Sequence, residues 1–246
     1  MPGVELAEYD KMDAVEQELW WYRALHTHIL DLVRQRPAGT RLLDAGCGTG
    51  GLLTRLREDL PDLDAIGLDY AHAAASRAQA KAGLPVVAGT VLDLPFADRS
   101  FGMVVSLDVL CHAAVEPEPA LREMVRVLQP GGKLVLNLPA YDWLRSAHDI
   151  RVRNSRRFTA RGIRRLLTEA GLSPIRICYW NALLLPLMVV QRKILARAPD
   201  SSSDVTPLHP WLNRGLLAAT RMERRLMAAG LPFPAGGSVL AMARKE

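Results

Sequence analysis

Short apolar runs alternate along the chain with stretches whose apolar residues lie three or four positions apart. The short runs predict buried strands, and the stretches with helical spacing predict helices. Strands are predicted at 41–45, 65–68, 85–88, 101–107, 133–138, 174–180 and 238–244. Helices are predicted at 15–34, 52–60, 71–82, 117–128 and 159–170, and a helical insertion at 183–198 and 210–229 precedes the last strand. This alternation predicts a parallel sheet with right-handed crossovers.

Length and composition favour a single domain. The chain has 246 residues, of which 49% are hydrophobic and 23% charged, so a substantial core can be buried. Two full domains would be cramped at this length. We therefore expect one domain over 1–246, with an N-terminal helical lid at 1–38, a core at 39–138, and a second half at 139–246 that contains the insertion at 181–236.

The charge is positive but not arranged as in most nucleic-acid-binding proteins. The formal net charge is +5, and arginines cluster at 145–165 and 221–225. The first cluster contains a single aromatic residue, Phe158, so it offers no stacking platform for bases. We expect solvated helix faces, an anionic ligand or peripheral contact with a lipid surface, and not nucleic acid.

The cysteines and the apolar segments of the chain indicate the cellular compartment in which the protein is expected. Cys47, Cys111 and Cys178 are far apart and show neither metal-ligand spacing nor a disulfide framework, which favours a reducing compartment and no metal. The first residues are acidic and lack the apolar run of a signal peptide. The longest apolar stretch, 182–190, is too short to span a bilayer. We therefore expect a soluble, cytoplasmic protein.

A glycine cluster follows the first predicted strand, in the sequence Asp-Ala-Gly-Cys-Gly-Thr-Gly-Gly at 44–51. Glycines allow a tight turn and a close approach of ligand to backbone. The cluster also satisfies the pattern G-x-G-x-x-G, so an NAD(P)-dependent oxidoreductase is one alternative. Asp44 argues against it, because this carboxylate would repel a pyrophosphate and instead suits an ammonium group. Asp69, which closes the second strand, can accept both ribose hydroxyls in either kind of site.

Further motifs follow in order: Gly-Leu-Asp at 67–69, Asp-Leu-Pro-Phe at 93–96, Ser-Phe-Gly-Met-Val-Val at 100–105 and Leu-Gln-Pro-Gly-Gly at 128–132. With the glycine cluster, they make residues 42–138 resemble the class I, seven-stranded S-adenosylmethionine-dependent methyltransferases. The resemblance implies a three-layer α/β/α Rossmann-like sheet, mostly parallel with an antiparallel last strand. It also implies S-adenosylmethionine as cofactor and S-adenosylhomocysteine as product. One departure is Gly102, where the family usually has aspartate.

The resemblance also implies residue roles. The glycine loop would cradle the cofactor, with Asp44 near its methionyl ammonium, Asp69 on its ribose, and Leu107 against its methionyl part. The cofactor-binding residues implied in this way are Asp44, Gly46, Cys47, Gly48, Gly50, Asp69, Tyr70 and Leu94 beside the adenine, Asp93 on its amino group, and Leu107. The segment at 19–23 is similar to a Trp-Trp-Phe-x-x-Arg-like stretch in one branch, where its aromatics pack on the body or cover the site. Arg23 would then pair with the cofactor carboxylate.

Methyl transfer from a sulfonium expels a neutral group, so positioning supplies most of the rate. A base is needed only when the acceptor must lose a proton. The candidates are His112, after the fourth strand, and His148, after the fifth. The competing interpretations are that His112 organises its loop and that His148 caps a helix or lies at the surface.

Acceptor-binding residues are expected at 139–157, because ligands of open α/β sheets collect at the carboxyl ends of strands. Tyr141 and Trp143 would shape the site, Arg156 and Arg157 would bind an anion, and the insertion would cover an apolar acceptor. The predicted function is O- or C-methylation of a small or lipid-like molecule. The alternatives are a non-catalytic, cofactor-binding partner of another enzyme and, after it, the oxidoreductase.

Overall fold

The computed structural model describes residues 6–192 and 208–246. Its strands are β1 (Arg41–Ala45), β2 (Asp64–Asp69), β3 (Val86–Ala88), β4 (Phe101–Leu107), β5 (Leu128–Pro139), β6 (Leu172–Trp180) and β7 (Ser238–Lys245). They form one sheet in the order β3-β2-β1-β4-β5-β7-β6. The neighbouring pairs from β3 to β5 are parallel, whereas β7 is antiparallel to both β5 and β6. The predicted sheet, with an antiparallel last strand, is confirmed.

Helices cover both faces of this sheet. They are α1 (Leu6–Val15), α2 (Trp20–Val33), α3 (Gly51–Asp59), α4 (His72–Ala82), α5 (Pro117–Val127), α6 (Ala147–Arg151), α7 (Ala160–Glu169), α8 (Leu185–Val190) and α9 (Pro210–Ala228). One core joins the sheet to α5 and α7, and a second joins it to α2, α3 and α4. In β1, Leu42 and Leu43 are both fully buried but belong to different cores, because successive side chains of a strand point to opposite faces. The predicted three layers follow from this alternation.

The N-terminal part differs from the single helix predicted at 15–34. The structure has two helices, because the chain is extended at Leu19, with ψ near 130°. The first backbone amide of α2, that of Trp20, donates to Asn213 Oδ1 of α9 at 2.8 Å. A side chain almost two hundred residues away thus satisfies the helix end, and the sequence around Leu19 contains no signal for it.

The segment before β5 also differs from the prediction. The sequence predicts a helix to residue 128 and a strand at 133–138, whereas α5 ends at Val127 and β5 begins at Leu128. The pairing of β4 with β5 shifts between Phe101 and Met103, so the Pro-Gly-Gly segment forms an irregularity within the ladder and not a separate turn.

The insertion has two parts that lie in different places. α8 begins as predicted, but residues 193–198 of the predicted helix lie outside the described part of the chain. α9 packs along α2, where Arg224 Nη1 lies 2.8 Å from Asp31 Oδ2. Buried Glu223 accepts from the backbone amides of Asn181 (2.5 Å), Ala182 (2.7 Å) and Leu183 (2.9 Å). The buried residues of α9 are Leu217, Thr220 and Glu223. Whether the insertion covers the acceptor stays a prediction.

Across 6–192 and 208–246, the structure has no helix both long and apolar enough to cross a bilayer.

Candidate cofactor and acceptor site

The glycine cluster forms the turn from β1 into α3 at the carboxyl edge of the sheet. The amides of Gly46 and Cys47 both donate to the carbonyl of Leu68, at 2.8 and 2.9 Å, which ties the loop to the end of β2. Gly46 has a φ of +92°, and a Cβ there would lie 2.2 Å from Val109. The loop can therefore adopt this path only with glycine at that position.

Asp44 lies beneath this loop as a buried carboxylate with a free acceptor. Its side chain is 2% exposed, and its Oδ2 has no hydrogen-bond partner within the described residues. Burial, together with the negative charges of Asp69 and Glu16, raises the pKa of Asp44 to about 8. An unpaired buried acceptor is costly, so this oxygen suits a donor from a ligand. The observation fits the ammonium group of the expected cofactor.

Asp69, at the end of β2, holds the opposite side of the loop. Its Oδ2 accepts from the Gly48 amide at 2.8 Å, and its Oδ1 accepts from the Ala71 amide at 2.9 Å and from the Tyr9 hydroxyl at 3.3 Å. Burial raises the pKa of Asp69, and these bonds act in the opposite direction. The carboxylate already accepts a hydroxyl, the same group that a ribose presents. Its ribose-binding role stays a prediction.

Helix α1 contacts the glycine loop and lies within the segment 1–38 that the sequence analysis expects as a helical lid, although no separate helix is predicted at residues 6–15. Besides Tyr9, α1 places Met12 within 3.7 Å of the position that a Cβ at Gly48 would take. Lys81 of α4 pairs with Asp13 and with Glu16, which is 3% exposed, just after α1. Tyr9, Glu16 and Lys81 are thus site residues that sequence reasoning missed, because no motif distinguishes them.

The remaining cofactor candidates lie around the same edge, with different exposure. Tyr70 is 58% exposed next to Asp69, Asp93 is exposed, and Leu107 is half-buried at the end of β4. Leu94 is buried, and its backbone amide donates to Glu123 Oε2 at 2.8 Å. The Leu94 amide is therefore already engaged within the protein. It is not free to make the backbone contact with the cofactor that the resemblance implies.

Cys47 is buried in the loop, where desolvation and nearby carboxylates raise the pKa of its thiol. A thiol that stays protonated is a packing group here and not a nucleophile.

The aromatic segment at 19–23 packs on the body of the protein. Trp21 stacks on buried Trp180 of β6, with ring centroids 6.1 Å apart. Arg23 lies in a different cavity, between α2, α3 and α9, where it shares the lining with Arg55 and Arg221. The lining of this cavity contains neither Asp44 nor a residue of the glycine loop, and the predicted pairing of Arg23 with the cofactor carboxylate stays a prediction.

A polar chain that the sequence reasoning missed runs through the carboxyl ends of β4 to β6. Asn137 is fully buried in β5, and its Nδ2 donates to both oxygens of Asp108 at 3.1 and 3.0 Å. Its Oδ1 accepts from Trp180 Nε1 at 2.8 Å. Burial raises the pKa of Asp108 to about 7, so this carboxyl titrates near neutrality. The signal in the sequence was Asn137 itself, a polar residue within an apolar strand.

The loop after β4 is held by residues predicted to act on the acceptor. The guanidinium of Arg156 donates to the carbonyls of Leu110 (3.2 Å), His112 (3.4 Å) and Val115. Burial lowers the pKa of His112, whose ring is hydrogen-bonded to the backbone of Val152. These contacts correspond to the loop-organising interpretation of His112 and give Arg156 the same role. Their acceptor and base roles stay predictions.

Arg157 forms a buried ion pair with Asp149. Its Nε and Nη2 lie 3.0 and 2.9 Å from the two carboxylate oxygens, and the two side chains are 4% and 1% exposed. Such a bidentate pair fixes the loop after β5 but leaves Arg157 little capacity for an anionic acceptor. The side chain of His148 lies outside the described part of the structure, so its predicted catalytic role is untested.

Three aromatic rings stack at the carboxyl edge beyond β5. Tyr141 lies between Tyr179 and Trp143, with centroid distances of 5.3 and 5.7 Å and interplanar angles of 13° and 26°. Trp143 is 49% exposed, so the stack ends at solvent. The guanidinium of Arg192, beyond α8, donates to the Leu144 carbonyl at 2.8 Å and so brings α8 to this edge. The structure therefore groups Tyr141 and Trp143 as predicted and adds Tyr179.

Within the described ranges, no group of three or more metal-ligating side chains lies together.

Residues 43–136 match the family described as "Methyltransferase domain". The chain is 35% identical over 129 residues to 24-methylenesterol C-methyltransferase 2 of Oryza sativa, covering 50% of this chain and 34% of the relative. It is 29% identical over 159 residues to a fatty-acid O-methyltransferase of Mycolicibacterium smegmatis, covering 60% and 53%. The chain spans about half or less of the length of the curated relatives it matches.

The fold is similar to that of a solved Thermotoga maritima protein described as a SAM-dependent methyltransferase, possible histamine N-methyltransferase. The two chains superpose with a TM-score of 0.63 over 98% of this chain and 96% of the other, at 18% identity.

Proposed function

We propose that this chain, whose residues 43–136 match a methyltransferase domain, transfers the methyl group of S-adenosylmethionine to a lipid-like acceptor, on oxygen or carbon. The single observation that carries the cofactor assignment is the buried, unpartnered Oδ2 of Asp44 beneath the glycine loop. A dinucleotide pyrophosphate has no donor for this oxygen, and it would oppose ionisation of the carboxyl group, whereas a methionyl ammonium donates to the oxygen and favours the ionised form. This difference favours the methyltransferase over the oxidoreductase.

S-adenosylmethionine, when bound, supplies an electrophilic methyl group on a sulfonium that leaves as a neutral thioether. Gly46, Gly48 and Gly50 would hold it through the backbone, Asp44 would bind its ammonium, and Asp69 its ribose. These residues are oriented by bonds already present, such as that from the Gly48 amide to Asp69 at 2.8 Å. The chain therefore contributes position more than chemical assistance.

The acceptor would bind between the aromatic stack of Tyr141, Trp143 and Tyr179 and the exposed side of α8. The apolar side chains of Leu183, Leu187 and Val190 are 43%, 52% and 41% exposed there. Exposed apolar side chains beside an aromatic stack suit an apolar molecule. Sterol and fatty-acid methyltransferases among the relatives support the same acceptor class. Because Arg156 and Arg157 are engaged within the protein, the acceptor requires a polar head but not an anionic one.

For an acceptor that must lose a proton, Asp108 is a further candidate base besides His112 and His148. It follows β4 directly at the carboxyl edge, and Asn137 fixes the orientation of its carboxyl group. With a pKa of about 7, a substantial fraction of Asp108 is ionised at neutral pH and can accept a proton.

We propose a cytoplasmic location, which the three free thiols of this chain support.

The test is methyl transfer from labelled S-adenosylmethionine to a long-chain fatty acid, a sterol and a prenyl alcohol, with acetate as the water-soluble control. We expect labelled product with at least one apolar acceptor and none with acetate. Leu187→Ser should raise the acceptor KM at least threefold without changing the affinity for S-adenosylhomocysteine, since the polar side chain removes apolar contact. Leu231→Ser, at a residue 54% exposed beyond α9, is the matched control.

Product from acetate but from no apolar acceptor would contradict the acceptor class. Binding of S-adenosylhomocysteine without transfer to any acceptor would favour the non-catalytic cofactor-binding partner. Saturable NADH binding without S-adenosylhomocysteine binding would contradict the cofactor.

A further inference from the structure

A further cavity lies between α2, α3 and α9, and none of its lining residues belongs to the glycine cluster at 44–51. Its volume is about 160 Å³. Four of its lining side chains are arginines, Arg23 from α2, Arg55 from α3, and Arg221 and Arg224 from α9, and none of its lining residues is acidic. The cavity is therefore a local concentration of positive charge that three helices create together.

Two of the four arginines have acidic partners outside the lining. Arg55 pairs with Asp59 of its own helix at 2.9 Å, and Arg224 pairs with Asp31 of α2 at 2.8 Å. For Arg23 and Arg221, the described part of the chain provides no carboxylate within ion-pair distance. Like charges brought together without counter-charge destabilise a structure, so these two guanidinium groups suit an external anion.

Neutral donors line the floor of the cavity. His26 and His28 are 5% and 7% exposed, and burial lowers the pKa of these imidazoles to about 3 and about 4. The His26 ring contacts Tyr22 and the His28 ring contacts Trp180, and neither imidazole forms a hydrogen bond with another described residue. A neutral imidazole still carries one N–H donor, and because both rings line the cavity, they can offer this donor to a ligand there. Two imidazoles beneath four arginines therefore complete a site for an oxyanion.

We propose that this cavity binds a phosphate-bearing anion, held by Arg23 and Arg221 at its mouth and by the imidazoles of His26 and His28 at its floor. Arginine binds phosphate oxygens through paired N–H donors, and the volume suits a phosphate or pyrophosphate group. The ligand would connect α9 to α2 and α3, so it would fix the insertion to the body of the domain. The source is either a free phosphate compound or the head group of an anionic lipid.

The experiment is calorimetric titration of the full chain with pyrophosphate at constant ionic strength. We expect one saturable site, and at least a tenfold loss of affinity in the double variant Arg23→Ala/Arg221→Ala, because each guanidinium contributes charge-assisted bonds. Arg165→Ala is the matched control, since that arginine is 74% exposed on α7 and lies outside the cavity. Circular dichroism verifies that the variants are folded. The affinity for S-adenosylhomocysteine should be the same in the wild type, in Arg165→Ala and in the single variant Arg221→Ala.

Sedimentation with vesicles then distinguishes the two sources. If vesicles of phosphatidic acid in phosphatidylcholine bind the wild type, and pyrophosphate or the double variant abolishes this binding, the ligand is a lipid head group. Pyrophosphate binding without vesicle binding assigns a free phosphate compound. No saturable binding of either, or equal affinity in the double variant and Arg165→Ala, would overturn the proposal.

Discussion

At the scale of single residues, Asp44 is a carboxyl group whose charge depends on the cofactor. Its pKa of about 8 in the cofactor-free protein exceeds the ordinary value of 3.8, because it is buried near Asp69 and Glu16. A cationic ligand binds the ionised form, so binding must release a proton below the raised pKa. Asp44 thus couples cofactor affinity to pH.

We expect the dissociation constant for S-adenosylhomocysteine to fall as pH rises from 6 to 8, by as much as about tenfold for each pH unit below the pKa. Asp44→Asn should weaken binding at pH 8 and flatten the pH profile, since the amide does not titrate. Calorimetry across this range measures both effects. A wild-type affinity independent of pH would mean that Asp44 does not bind the ammonium.

At the scale of elements, α1 and the cofactor would compete for one carboxylate. Tyr9 of α1 and the ribose of the cofactor would both donate hydrogen bonds to Asp69. The Tyr9 hydroxyl donates to Asp69 Oδ1 at 3.3 Å, and burial together with the charge of Asp69 raises the pKa of this phenol. If Asp69 binds the ribose hydroxyls, the Tyr9 hydroxyl must give up its position. The placement of α1 is therefore part of the energetics of cofactor binding.

Tyr9→Phe should tighten S-adenosylhomocysteine binding by about two- to tenfold, because a net hydrogen bond of about 0.5–1.5 kcal/mol no longer has to be displaced. The control is Tyr22→Phe, a substitution on α2 that leaves the Asp69 contact intact. Calorimetry of both variants measures the difference. Weaker binding in Tyr9→Phe would indicate that the hydroxyl contacts the cofactor instead of competing with it.

At the scale of the whole molecule, Trp180 joins elements that are far apart in sequence. It is fully buried at the end of β6, stacks on Trp21 of α2, and donates to Asn137 Oδ1 of β5 at 2.8 Å.

Trp180→Phe should lower the free energy of unfolding by about 1–3 kcal/mol, since the buried Asn137 Oδ1 loses its hydrogen-bond donor. Denaturant unfolding measures this loss. Trp211→Phe, at a residue 68% exposed, is the control and should change stability by less than about 0.5 kcal/mol. Equal effects in the two variants would contradict the joining role.

The sequence by itself determined the sheet and the glycine loop. Strands buried on both faces are apolar throughout, so they are visible as apolar runs in the sequence. The backbone at Gly46 leaves no room for a Cβ, so this position requires a glycine, which is visible in the sequence as well. Asp44 and Asp69 were identified because they lie at fixed distances from those signals.

Tertiary structure alone decided which polar groups meet around that frame. Arg156 and Arg157 are residue types suited to bind an anion, yet Arg156 donates to backbone carbonyls of the loop after β4, and Arg157 pairs with buried Asp149. Tyr9, Asp108 and Asn213 acquire their roles from partners 29 or more residues away. Such partners depend on how layers and loops pack, and a buried polar group binds whichever partner that packing brings near, because remaining unpaired costs more.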